Sequence, residues 1–294
     1  MALPRLIFVT GKGGTGKTTV SAALAAALAR RGRATLADID GRLGGATLVG
    51  ATAAGPGLAR APGSLDILAL STRTELEAFI RRIVPISAIS RRMLQSRTFG
   101  YVTAALPGLE AFLLLERLRI MAGDAALEDR FVVIDAPASG TALELLGVAT
   151  GVKGIAPAGT LNRLAGAVQS FLTDPSRFGV IVTVAPEPLA LREALETVSA
   201  LRGRLGIATV AAILNRTPQA LFDEAELGAL GRITAHAQLA RRRSREHKFA
   251  RAARGQLRRA GVESIELPMM FTETIGAGEL ARLSREIEAG LLGR

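Results

Sequence analysis

The chain has 294 residues, 49% of them apolar, with 32 glycines and no cysteine, which excludes a disordered tail, a secreted disulfide scaffold and any metal or redox site built on thiolates. Lys plus Arg number 37 against 26 Asp plus Glu, a net charge of +11 supplied almost wholly by arginine, because lysine occurs only at Lys12, Lys17, Lys153 and Lys248. Size and apolar content suit a well-packed core in a reducing compartment.

Met1 to Arg5 is too short and too weakly charged to act as a secretory n-region. The longest apolar runs, such as Ala22 to Ala29 and Ile207 to Leu214, fall short of the roughly 18 to 20 residues that a membrane span needs. The expected location is the cytoplasm, with any membrane association peripheral.

Seven short aliphatic runs read as strands: Leu6 to Thr10, Ala34 to Ala37, Leu65 to Leu70, Phe131 to Asp135, Val180 to Val184, Val210 to Leu214 and Ser264 to Leu267. Most are continuously apolar, as strands buried on both faces are, and segments with helical spacing separate them. Leu24 and Leu28 mark an early helix, Leu189, Leu195, Val198 and Leu201 a later one, and Leu280, Leu283, Ile287 and Leu291 the last. The pattern predicts an α/β fold over residues 1–294, a mostly parallel sheet sandwiched by helices. Gly41 to Gly63, rich in Gly, Ala and Pro, reads as a mobile loop region. Residues 74–129 offer no convincing strand and read as a helical insertion subdomain, with Leu109, Phe112, Leu113, Leu115, Leu118 and Ile120 packing on the sheet or a second subunit, or forming a client-binding surface.

The first strand runs directly into Gly11-Lys12-Gly13-Gly14-Thr15-Gly16-Lys17-Thr18-Thr19, which satisfies G-x-x-x-x-G-K-[ST] ahead of an Ala/Leu helix. In this context the glycines let backbone N–H groups converge on phosphate oxygens, Lys17 reaches the β and γ phosphates, and the Thr18 hydroxyl ligates Mg²⁺. The expected cofactors are therefore ATP and Mg²⁺ on a P-loop NTPase fold. Asp38 and Asp40 follow the second strand, at the carboxyl edge where open sheets bind ligands. Asp135 ends the strand Phe131 to Asp135, positioned to hold Mg²⁺ through water.

Lys12, a second lysine at the start of the loop, resembles the signature of the deviant Walker A, or SIMIBI, class of dimeric ATPases, which includes MinD, ParA and ArsA. The resemblance implies that Lys12 reaches the partner's nucleotide across a two-fold interface and that Asp40 positions the attacking water. The segment Asp135-Ala136-Pro137-Ala138-Ser139-Gly140-Thr141 resembles the second switch of the ArsA family, with Thr141 where that family has histidine. Pro107-Gly108-Leu109-Glu110 resembles its P-G-x-x-E segment, and Ala185-Pro186-Glu187 its P-E turn. Asn215-Arg216 resembles its adenine-reading pair, and Leu267-Pro268 to Glu273 the loop that covers the adenine, so Asn215 and Pro268 are the expected base contacts. The cysteines of the family's metal-binding members are absent, and Asp38-Ile39-Asp40-Gly41 is closer to MinD.

What the resemblance implies is a dimeric Mg-ATPase, a homodimer or a heterodimer with a paralogous ATPase, that opens and closes on a hydrophobic client or a membrane protein. A positioning ATPase that attaches to membrane or DNA, and a nucleotide-binding subunit without hydrolysis, are the alternatives. From Arg241 to Arg259 there are eight arginines and Lys248 against Glu246. With Phe249 the sole aromatic residue there, a solvated face is favoured over a nucleic-acid or lipid contact. His236 and His247 lack clustered partner ligands and read as surface or core residues.

Overall fold

The computed structural model describes residues 3–39, 44–55, 57–71, 75, 108–123, 130–155, 158–229 and 235–293. A nine-stranded sheet forms its centre: β1 (Leu6–Gly11), β2 (Arg33–Asp38), β3 (Thr52–Gly55), β4 (Leu58–Arg60), β5 (Leu65–Ala69), β6 (Arg130–Ala138), β7 (Phe178–Val184), β8 (Thr209–Thr217) and β9 (Ser264–Pro268). The strands lie in the order β3-β4-β5-β2-β6-β1-β7-β8-β9. Pairing is parallel from β5 through β9, and only β3 with β4 and β4 with β5 run antiparallel. All seven expected strands are present, with ends extended or trimmed by up to three residues.

Helices cover both faces. One face carries α1 (Lys17–Ala29), the short α2 (Gly44–Leu48) and α9 (Ala277–Ile287), whose Val20, Leu24, Leu28, Leu280, Leu283 and Ile287 pack on Ile7, Val9, Val133 and Ile213. The other face carries α3 (Leu109–Gly123), α4 (Ser139–Ile155), α5 (Gly159–Thr173) and α6 (Pro188–Ala200), then α8 (Ala235–Arg259), against which the short α7 (Glu224–Ala229) lies with no residue buried. Phe8, Phe178 and Phe171 stack from β1 through β7 to α5, with ring centroids 6.0 and 5.5 Å apart. Strand β1 is fully buried along its length because its alternate side chains enter both cores.

Two expectations are corrected. The stretch Gly41 to Gly63 is not a simple loop: its described residues hold α2 and the hairpin β3–β4. Every β3 side chain is exposed, so pairing rests on backbone hydrogen bonds and leaves no apolar alternation to read. Leu189, assigned to the buried stripe of α6, is instead exposed, because the helix begins at Pro188 and its inward face starts at Ala190 and Leu191. Most of the insertion at 74–129 lies outside the described residues. Its described helix α3 buries Phe112, Leu113, Leu115 and Leu118 in the core shared with α4 and α5, which is the packing reading of those positions.

Candidate nucleotide site

The loop from Gly11 to Gly16 leaves β1 between β6 and β7 and turns into α1. Positive φ values of 151°, 80° and 89° at Gly11, Gly14 and Gly16 bend it, a conformation that side chains on L residues resist. Space is as decisive as angle. A Cβ on Gly11 would collide with Thr183, and one on Gly16 with the Asn215 amide, whereas Gly13 faces open space. Thr15 Oγ1 donates to the Lys12 carbonyl at 2.8 Å and lies 3.0 Å from Thr183 Oγ1, pinning the loop to β7. Lys17 Nζ spans the loop to within 3.5 Å of the Lys12 carbonyl. Thr18 and Thr19 form the first turn of α1.

Two carboxylates stand side by side where β2 ends, Asp38 being the register partner of Asp135, which does not end its strand as expected because β6 continues to Ala138. Thr18 Oγ1 donates to Asp135 Oδ2 at 2.7 Å and Ser21 Oγ to Oδ1 at 3.1 Å. Burial pushes the Asp135 carboxyl above the usual carboxylate range; the two hydroxyl donors oppose this, Asp38 adds to it and Lys17 counters it. Asp38, also buried, accepts the Gly44 N–H at 3.0 Å and so fixes the start of α2. Asp40 lies outside the described residues.

On the far side of the loop, Asn215 Nδ2 donates to the Thr15 carbonyl at 2.9 Å, and Asn215 Oδ1 accepts the Arg216 N–H at 3.0 Å. Arg216 itself holds φ at 58° and donates from Nη2 to the Gly14 carbonyl at 3.0 Å. Together these residues clamp the outer edge of the loop from the end of β8. Pro268 closes β9, paired with Thr217, and the next residue, Met269, donates its N–H to the Thr217 carbonyl at 3.0 Å. Lys12 Nζ turns away from the loop, 3.5 Å from Glu193 Oε2 on α6, and the Ser139 hydroxyl donates to Glu193 Oε1.

The residues fit a Mg-nucleotide. Helix α1 has no side-chain cap and no acidic residue in its first turn, so its terminal N–H groups and dipole are left to an anion. Thr18 and Asp135 present hard oxygen donors at one point, the chemistry that magnesium selects. Among the described residues no group of three or more His, Asp or Glu could form a metal cage.

The structure thus brings the loop, Asp135 and Asn215 into one site at the carboxyl edge of the sheet. Sequence reading missed Ser21, Glu193, Thr183 and the Arg216 clamp. Ser21 carried a signal, since it lies three residues after Thr18 and so on the same face of α1. The Lys12–Glu193 and Thr15–Thr183 pairs carried none, because each joins residues more than 160 positions apart.

Residues 6–219 match the family described as the CobQ/CobB/MinD/ParA nucleotide binding domain. The chain is similar to "ATPase BagA" of Mycobacterium tuberculosis (strain ATCC 25618 / H37Rv) and to "Putative ATPase Mb3704" of Mycobacterium bovis. Each is 28% identical over 238 residues, spanning 76% of this chain and 68% of the relative.

Proposed function

The chain belongs to the CobQ/CobB/MinD/ParA nucleotide-binding domain family, and from that premise we propose that it is a Mg²⁺-dependent ATPase that works as a dimer. The observation that carries the reading is the uncapped N-terminus of α1 set beside the paired Thr18 and Asp135. Lys17 and the terminal amides of α1 hold the phosphates, Thr18 ligates the metal, and Asp135 holds a metal-bound water. Magnesium, when bound, neutralises charge on the β and γ phosphates. Asp40, by its resemblance to the class, orients the attacking water. Asn215 and Pro268 are the proposed neighbours of the adenine, with Asn215 also stiffening the loop through Thr15.

Lys12 supports the dimer. Among the described residues its ammonium pairs with Glu193, whose side chain is about a third exposed, a weak contact that a second nucleotide across a two-fold interface could displace. The output would follow the ArsA pattern: closure passes through the segment after Asp135 to a hydrophobic client or membrane partner, in a homodimer or with a paralogous chain. The relatives named as ATPases support hydrolysis over nucleotide binding alone. A Lys12→Ala variant tests the scheme by phosphate release and by sedimentation with ATP. Loss of both turnover and ATP-dependent association is expected; if both persist unchanged, the cross-subunit role of Lys12 is removed.

A further inference from the structure

Six large apolar side chains are well exposed among the described residues, and five of them stand together. Leu221 and Phe222 lie ahead of α7, Leu239 on the second turn of α8, and Met269 and Phe271 on the loop after β9. Their exposures run from 38% to 79%. They ring a groove of about 480 Å³ that also reaches the buried Ala240. Exposed apolar residues scattered singly are ordinary, but a cluster drawn from three separate segments marks a contact surface.

The rim of this groove is cationic. Arg242 and Arg243 line it against a single carboxylate, Glu246. The Arg243 guanidinium sits 4.8 Å over the Phe271 ring. Arg242 and Glu246 also line an adjoining trough of about 630 Å³, where Arg245 and Arg216 join them. Glu246 pairs with both Arg242 and Arg243, and Glu187 also lines the trough, so the groove and trough together carry Arg216, Arg242, Arg243 and Arg245 against two carboxylates, a net positive lining beside the apolar cluster.

We propose that this face docks the protein on an anionic lipid bilayer, the apolar side chains entering the interfacial layer and the arginines meeting lipid phosphates. Three observations select that occupant. A second copy would bring the same arginines against these and repel them. A nucleic acid has no use for Leu221, Leu239 and Met269, and Arg243 already covers one face of Phe271. An anionic bilayer supplies an apolar phase and a dense phosphate layer at the depths these two sets of side chains require. Among the described residues no helix is long and apolar enough to cross a membrane, so this attachment is peripheral.

The groove shares the loop after β9, and the adjoining trough shares Arg216, with the candidate nucleotide site, but Leu221 and Leu239 are assigned to no phosphate, metal or base contact, so substituting them tests the surface apart from the ATPase reading. The test is co-sedimentation of the full chain with phosphatidylcholine vesicles, with and without phosphatidylglycerol, at low and high salt, alongside phosphate release in solution. Binding is expected on the anionic vesicles, at least about tenfold above the neutral ones, and weaker at high salt. A Leu221→Ser/Leu239→Ser double variant should lose that binding about tenfold, while folding and turnover stay at the parent level because both side chains are exposed. Equal partition to both vesicle types, an unaffected double variant, or retention on duplex DNA without retention on vesicles would each overturn the proposal. Vesicle binding by a chain that releases no phosphate upholds it and counts against the ATPase reading alone.

Discussion

Lys12 and Glu193 form an ion pair 3.5 Å long between the phosphate loop and helix α6, and the second oxygen of the same carboxylate accepts the Ser139 hydroxyl at the start of α4. Glu193 therefore ties the lysine of the loop to the segment that follows Asp135. Both partners of the ion pair are more than a third exposed, at 38% and 35%, so its net worth is on the order of 0–1 kcal/mol. A contact that weak holds Lys12 in place but yields to a stronger anion.

Glu193→Gln should therefore free Lys12 at little cost. Thermal stability is expected to stay within about 1 kcal/mol of the parent, while ATP-dependent association tightens several-fold. Sedimentation equilibrium with a non-hydrolysable analogue checks this, and an unchanged dimer constant would show that the pair does not compete with the partner's nucleotide.

Asp135→Asn separates electrostatics from metal binding. Burial raises the folded-state pKa of Asp135, so its carboxyl favours the fold when protonated. That contribution is present at low pH and is lost as pH rises through the folded-state value. The neutral amide escapes the loss. The nucleotide-free variant should melt higher than the parent near neutral pH, with the difference shrinking toward about pH 4, whereas stabilisation by Mg-ATP should disappear. Melting curves across pH, with and without Mg-ATP, test both halves.

Gly13→Ala and Gly16→Ala form a contrasting pair. At Gly16 the left-handed backbone and the Asn215 amide both oppose a methyl group, so Ala should destabilise the fold by at least about 1–2 kcal/mol and abolish nucleotide binding. At Gly13 nothing lies within 4 Å of an added Cβ. There the fold should stay within about 1 kcal/mol of the parent, with nucleotide affinity reduced because the methyl group enters the space above the cradle. Denaturant melts and nucleotide titrations separate the two effects.

Arg216→Gly should uncouple stability from binding in the opposite sense. Glycine relieves the φ of 58° and is expected to leave stability unchanged or raise it by up to about 1 kcal/mol. Losing the guanidinium from the Gly14 carbonyl should weaken nucleotide binding several-fold, as isothermal titration would show.

The sheet was legible because β1, β6, β7 and β8 are buried on both faces and announce themselves as aliphatic runs. The hairpin β3–β4 was hidden because every β3 side chain reaches solvent and the three-residue β4 buries only Ala59, too little for an apolar pattern. Within the site, Lys17, Thr18 and Asp135 were legible because loop spacing and the end of an aliphatic run locate them locally. The Glu193 bridge and the Asn215–Arg216 clamp depend on strand order, which sets β7 beside β1 and β8 next beyond it. The apolar cluster was invisible for a related reason: from the chain alone only Phe249 accompanies the basic helix, and folding adds Phe222 and Phe271 from elsewhere.

Strand β1 lies in the middle of the sheet with every residue buried, and the phosphate loop is its direct continuation. Amides in such a strand exchange with solvent only when the whole molecule opens, so the root of the loop is among the last parts to melt. Peripheral damage, at the β3 edge for instance, leaves the grip on the ligand intact until cooperative collapse removes it entirely. Nucleotide retention thus serves as an all-or-none gauge of whether the central sheet is formed.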